Sequence, residues 1–428
     1  MWSLFAQDDF RVKSNLTINL GLRYDRQTFT DDTNNVAPRL GFAYNIGGDG
    51  KTVVRASYGI YYSQLRANLG AQFNLGGPTG VFTFTATPGQ TGFPTSLTAL
   101  PSFPAGAVLP ARDIVIRPGR ASFYNQFFDT TKLKGYPSKL INPMTQQATA
   151  GLERALGRNF VLKADFVHAH TEDIDRLLDL NAPSTFTPTA AAPTRTAAAA
   201  NATRPITPVN NGYRRIQVVA NQGVSDYNGL QINLDKRFSQ KFSLLASYTL
   251  SKTTNTVEPD AGAGDPNDVN VLGEAERGLS VLNQHHRFVL SGYYQLPYGF
   301  GFGGVTTAAS GRPYAITAGV DTNGDGSTAD RPFDVNTGQY LVRNPGKGFP
   351  TYSTDLYAQK TFSFSERAKI EIRAEAFNIF NHRNIYGRTT TYGGALVGTP
   401  SVLLGTALGG IANVDPSREF QFQVRFRY

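Results

Sequence analysis

The chain divides into short runs in which apolar and polar residues alternate. LTINLGLRY puts Leu16, Ile18, Leu20, Leu22 and Tyr24 on one side and Thr17, Asn19, Gly21 and Arg23 on the other. RLGFAYN sets Leu40, Phe42 and Tyr44 against Arg39, and VRASYGIYY sets Val54, Ala56, Tyr58 and Ile60 against Arg55. The pattern returns in FVLKADF (Lys163, Asp165 on the polar side), GLQINLDKRF (Asp235, Arg237), KFSLLASYTLS, HRFVLSGYYQL and KIEIRAEAF (Glu371, Arg373, Glu375). It closes the chain in EFQFQVRFRY, where Phe420, Phe422, Val424, Phe426 and Tyr428 alternate with Gln421, Gln423, Arg425 and Arg427. A period of two predicts β-strands with two unlike faces, and helical periodicity is nearly absent. With weaker runs near Phe5, Ala148, Val305 and Leu356, about thirteen strands are expected. Most are near the ~9–11 residues that cross a bilayer at a tilt.

The connections carry as much information as the strands. KSN, GGDGK, ALGRN, FSQK, PYG and FSERA are short. Between them lie long segments at 25–35, 63–142, 170–224, 252–285, 311–350 and 381–417. Strict alternation of short and long sorts them to opposite ends of an antiparallel meander. A soluble β-sandwich or propeller gives no reason for that sorting. A transmembrane barrel does, with short periplasmic turns, long external loops, an apolar face toward lipid and a polar face toward the lumen. The expected fold is therefore an all-β, antiparallel transmembrane β-barrel. The charges expected to face its lumen are Arg23, Arg39, Arg55, Lys163, Asp165, Asp235, Arg237, Glu371, Arg373 and Glu375.

Composition narrows the function classes. Of 428 residues, 40% are hydrophobic and 17% charged, with 43 Gly, 29 Phe and 20 Tyr, which suits strands and tight turns. The absence of Cys excludes a disulfide framework and Cys-ligated zinc. A net charge of +9 invites a nucleic-acid reading, but Lys and Arg are scattered without a basic run, so no nucleic-acid partner is expected. No stretch approaches the ~18 apolar residues of a membrane helix. MWSLFAQDDFRVKSN lacks a basic start followed by an apolar core, so no signal peptide is expected. No GxSxG is present and no enzyme is expected.

SLFAQDDFRVKSNLTINLGLRYD, VAPRLGFAYNIGGDGKTVVRASYGIYY, SDYNGLQINLDKRFSQKFSLLASYTLSK, HHRFVLSGYYQLPYG, SGRPYAIT and EIRAEAFNIFNHRN together resemble successive barrel strands of TonB-dependent outer-membrane receptors, most of all the Oar-like group. Each piece is a weak motif, and six in one order are specific. The resemblance covers the strands and not the long loops. It implies a 22-stranded barrel in the outer membrane of a diderm bacterium, a plug domain, and uptake of a large or scarce solute driven through TonB. Residues 1–428 are then expected to be the C-terminal portion of such a barrel, without its plug, because alternating turns counted back from the last strand make the first strand run toward the periplasm. A short independent barrel is the alternative. Expected partners are outer-membrane lipid, the barrel-insertion machinery, the TonB complex through the missing plug, and an unidentified solute. The competing functions are a non-transporting adhesin or scaffold and, third, a barrel enzyme.

Several stretches are candidate sites. In DTNGDGSTADRP, Asp321, Asn323 and Asp325 are spaced by two, with Gly326 at the turn and Ser327 after it, as in the first half of a calcium loop. Position twelve is Pro332 rather than Glu, leaving Asp330 as the substitute. An Asx-rich polar turn is the plainer reading of this stretch and a structural calcium the alternative; no other cofactor is expected. His168 and His170 share a face near the outer rim, as metal ligands or as a wet rim. In FNIFNHRN, Phe380 reads as an interface aromatic, and Asn378, Asn381 and Asn384 as formers of the loop base. Phe420, Phe422, Val424, Phe426 and the terminal Tyr428 resemble the signal read by the outer-membrane insertion machinery. The segments 187–205 and AGAGDPND, at 261–268, are low-complexity external loops.

Overall fold

A computed structural model describes residues 1–65, 68–80, 111–157, 159–208, 212–258, 271, 273–409 and 413–428; AGAGDPND lies outside them. Thirteen strands follow one another in chain order, each hydrogen-bonded antiparallel to the next. They are β1 (Trp2–Lys13), β2 (Leu16–Arg26), β3 (Val36–Ile46), β4 (Thr52–Tyr62), β5 (Met144–Ala155), β6 (Phe160–Asp179) and β7 (Tyr213–Ser239). β8 (Phe242–Asn255), β9 (His286–Gln295), β10 (Phe300–Ala309), β11 (Thr351–Ser363), β12 (Lys369–Phe377) and β13 (Glu419–Arg427) complete the meander. All thirteen expected strands are present, and short connections alternate with long ones throughout. The sheet is open, with β1 and β13 as its edges.

Apolar residues on this sheet are on its outside. Leu22, Leu40, Leu152, Phe166 and Ile372 are all exposed, and Phe422 reaches 77%. A water-soluble domain would bury such a face; lipid supplies the missing cover here. The buried apolar clusters lie instead where the long connections pack on the outer ends of β6 and β7. Ile114, Ile116, Tyr124, Phe128, Leu133, Leu180, Ile216 and Val218 form one. Leu65, Leu69, Leu140, Leu177 and Val219 form another.

One expectation is corrected. The segment 170–224 is not all loop: β6 continues to Asp179 and β7 begins at Tyr213. The pair projects as a ribbon beyond the other strands, and a loop strand, Arg112–Ile116, adds to it in parallel. The alternation was unreadable there because register shifts between Thr171 and Asp175, with Asp173 at φ 60°, reset which residues face which way.

The short-turn end is stapled by a cation. Between β7 and β8, Gln240 and Lys241 take positive φ (51° and 70°), the geometry of a tight hairpin. Lys236 is 1% exposed. Its Nζ donates to Ser239 O at 2.8 Å, Ser239 Oγ at 3.0 Å and Phe242 O at 2.9 Å, and lies 3.5 Å from the centre of the Phe242 ring. Carbonyls and an aromatic face offset the desolvation of the ammonium. Replacing it by an isosteric apolar chain leaves those carbonyls without a donor. Lys236→Met is expected to lower stability by about 1–3 kcal/mol, seen as an earlier loss of heat-modifiable gel mobility. An unchanged transition would show that the staple carries no load.

Candidate functional site

Directly opposed residues in a sheet share a face, so the register tests where the charges lie. Arg39 opposes Gly59, and Arg55 opposes Gly151. Glu153 opposes Lys163, and Asp165 opposes Gln231. At the far end Glu371, Arg373 and Glu375 oppose Arg425, Gln423 and Gln421. Followed strand by strand, Arg23, Arg39, Arg55, Lys163, Asp165, Asp235, Glu371, Arg373 and Glu375 fall on one face of one continuous sheet. Arg237 follows the last of these paired positions: it lies in the register break between Lys236 and Ser239, and its amide closes the neighbouring turn on Asn159 O. Phe420, Phe422, Val424 and Phe426 oppose Ala376, Ala374, Ile372 and Ile370 on the other face; Tyr428 lies just past β13, its ring 6.0 Å from that of Phe426.

Several charges on the polar face are paired, either across strands or two residues apart on one strand. Glu153, which the sequence reading overlooked, bridges Arg55 at 3.2 Å and Lys163 at 3.5 Å. Arg373 meets Glu375 at 2.7 Å and Arg23 meets Asp25 at 2.9 Å. Tyrosines lie flat between them where glycine leaves room. A Cβ on Gly303 would stand 2.5 Å from the ring of the opposing Tyr357, over which Arg373 stacks at 3.7 Å. Tyr61 lies over Gly59 in the same way. A Tyr near a Gly on the polar parity was the available signal for this lining. The result is a smooth surface of paired charges and phenols.

The long connections interlock above that face. Arg331 pairs with Glu276, both about 2% exposed, and Arg343 pairs with Glu258 at 3.2 Å while donating to Asn255. Together they tie 310–350 to 256–285. Arg204 pairs with Asp179 at 2.9 Å, and Tyr340 donates to Phe186 O at 2.8 Å. Asp113 receives Arg214 at 2.7 Å and Arg215 at 3.0 Å, joining 63–143 to the ribbon. These partners are dozens of residues apart in the chain, and no local pattern announces them.

The five residues of the expected calcium loop come together in one loop. Asp321 accepts from Gly324 N at 2.7 Å and Gly326 N at 2.9 Å, and Asp325 accepts from Ser327 N at 2.7 Å. Asp330 accepts from the amide and hydroxyl of Thr322. Burial holds the Asp325 carboxyl above its ordinary range. Among the described residues no three His, Asp or Glu side chains are placed to hold a metal ion. The loop docks on its neighbour through Arg195, which donates to Asn323 O at 2.7 Å. The Nδ1 atoms of His168 and His170 meet Asn228 at 2.9 Å and Asp226 at 2.6 Å. FNIFNHRN forms the loop base as expected. Asn378 and Asn381 take positive φ, Asn378 exchanges two bonds with His382, and Asn384 exchanges two with Tyr352. Phe380 is exposed.

A family model described as "Outer membrane beta barrel domain" matches residues 1–35, 25–348 and 336–421. No curated protein sequence matches the chain. Among solved structures, the outer membrane transporter YddB from Escherichia coli aligns over 99% of this chain and 44% of its own, at TM-score 0.59 and 13% identity. A mutant of the ferric enterobactin receptor PfeA from Pseudomonas aeruginosa aligns over 99% and 44%, at 0.53 and 12%. The siderophore receptor PiuA from Acinetobacter baumannii aligns over 99% and 42%, at 0.50 and 11%. At these identities the likeness is one of fold, and the chain spans less than half the length of each structure.

The loop cap has a defined acid response. Burial pushes the Asp113 carboxyl up, but Arg214 and Arg215 outweigh it and leave Asp113 below its ordinary range. A depressed carboxyl stabilises the fold above the unfolded value, about pH 4, and the contribution fades as pH falls through the lower folded value. Proteolysis within 111–143 is therefore expected to accelerate below about pH 4. Asp113→Asn is expected to be cleaved faster at neutral pH and to lose most of that acid dependence. A variant that behaves like the native protein at every pH would contradict the assignment.

Proposed function

The chain belongs to the family of outer membrane beta barrel domains, and from that premise we propose that it is wall and loop cap of a TonB-dependent receptor of the Oar-like group. Its place is the outer membrane. The proposed activity is energy-dependent uptake of a large or scarce solute, with binding by the long loops and the polar face. That face becomes the lumen when the barrel closes, and Phe420, Phe422, Val424, Phe426 and Tyr428 present the aromatic signal to the insertion machinery.

The observation that carries the reading is the shared face of charged residues from Arg23 to Glu375. Charges of both signs on one face of such a sheet are tolerable at membrane depth only if water or protein covers them. A wide wetted interior beneath an ordered loop cap suits a receptor. The solved structures of similar fold are a transporter and siderophore receptors, which supports passage of solute over covalent chemistry.

The test compares cells lacking this protein, cells lacking TonB, and the parent, by mass spectrometry of solutes removed from a complex medium. At least one solute is expected to be depleted by the parent and spared by both deletions. If deletion of this protein abolishes surface attachment and spares no solute, the chain is an adhesin or scaffold barrel instead.

A further inference from the structure

The SGRPY segment, Ser310 to Tyr314, directly follows β10. With the base of the last long loop it forms one wall of a cavity of about 520 Å³ at the long-loop end of the sheet, within the range of small-molecule sites. Thr307 and Ser353 also line it. They oppose each other across β10 and β11, on the face that carries Glu153 and Lys163. The cavity therefore opens where a solute entering the barrel would first meet the polar face.

Its chemistry is unlike the rest of that face. Arg388 is fixed in place: its guanidinium lies 4.9 Å from the Tyr314 ring centre and 5.7 Å from that of Phe349, and it donates to Arg312 O and Tyr386 O. Arg312 lines the same cavity with an exposed side chain. Asp415 lines the same cavity and accepts the Tyr386 hydroxyl. Burial and that carboxylate push the Tyr386 phenol up to about 12, so it remains a donor at neutral pH. Two guanidinium groups against one carboxylate leave a net positive cavity. Guanidinium forks suit a carboxylate. The Asp415 carboxylate is acceptor-only and suits a hydroxyl donor, and the Phe349 and Tyr386 rings offer flat apolar surfaces beside these polar groups.

We infer that this cavity binds an acidic sugar: a carboxylate on Arg312 and Arg388, a hydroxyl on Asp415, and the C–H face of the ring on Phe349 or Tyr386. The inference rests on the uptake reading and names its substrate class.

The test is calorimetric titration of the full-length protein, purified in detergent, with digalacturonate, with its fully methyl-esterified form and with inorganic phosphate. Saturable digalacturonate binding is expected. Esterification and Arg312→Gln should each weaken it at least tenfold, with heat-modifiable mobility showing that the variant is folded. Phosphate should bind at least tenfold more weakly. Absence of digalacturonate binding at millimolar concentration, equal binding of the ester, equal binding of phosphate, or an unaffected folded Arg312→Gln protein would each overturn the assignment. None of these results touches TonB-dependent uptake, which the depletion experiment measures separately.

Discussion

Inside a bilayer no water is available to an unpaired amide or carbonyl, so a chain that crosses it as strands must satisfy its backbone through its neighbours. The rest of this molecule follows from that constraint. Each of the thirteen strands is hydrogen-bonded along its length to the next in sequence, which is the arrangement with the shortest turns and the fewest exposed ends. The edges left on β1 and β13 need partners wherever the sheet meets lipid. Once backbone groups are paired, side chains are free to serve two different solvents, and a period of two sends them there in turn.

The two faces solve opposite problems. The outer one carries leucine, phenylalanine and isoleucine that would be a liability in water. The polar one holds charges, and it manages them by pairing: Glu153 between Arg55 and Lys163, and Arg373 between Glu375 and the Tyr357 ring. Glycine at positions such as Gly303 lets those rings lie down. At the boundaries the chemistry changes again. Lys236 folds back on carbonyls and Phe242 at the short-turn end. Buried ion pairs such as Arg331–Glu276 and Arg204–Asp179 replace lipid and lumen contacts in the loops. Removing one partner of such a pair strands a buried charge.

How much of this was legible in the sequence depended on the range of the interaction. Alternation is a local property, so the strands, their order and the shared face of residues from Arg23 to Glu375 could be read directly. The outer parts of β6 and β7 could not, because a bulge at Asp173 resets the parity. In the loops, the alternating carboxylates of DTNGDGSTADRP are plain in the sequence, but their partners are not. Those carboxylates accept amide protons of their own loop, and Arg195 from a distant connection docks on it. Only tertiary structure brings Arg195, Arg312, Arg388 and Asp415 to their places.

The central claim is that one face of this sheet meets lipid and the other meets water. The chain contains no cysteine, so single cysteines introduced along β12 can each carry a spin label without interference. Spin labels at 370 to 375, one at a time in the reconstituted full-length protein, report oxygen and nickel-chelate accessibility by electron paramagnetic resonance. Labels at Ile370, Ile372 and Ala374 are predicted to favour oxygen, and those at Glu371, Arg373 and Glu375 the aqueous chelate, in strict alternation. Equal accessibility at adjacent positions, or alternation of the opposite sense, would contradict the account.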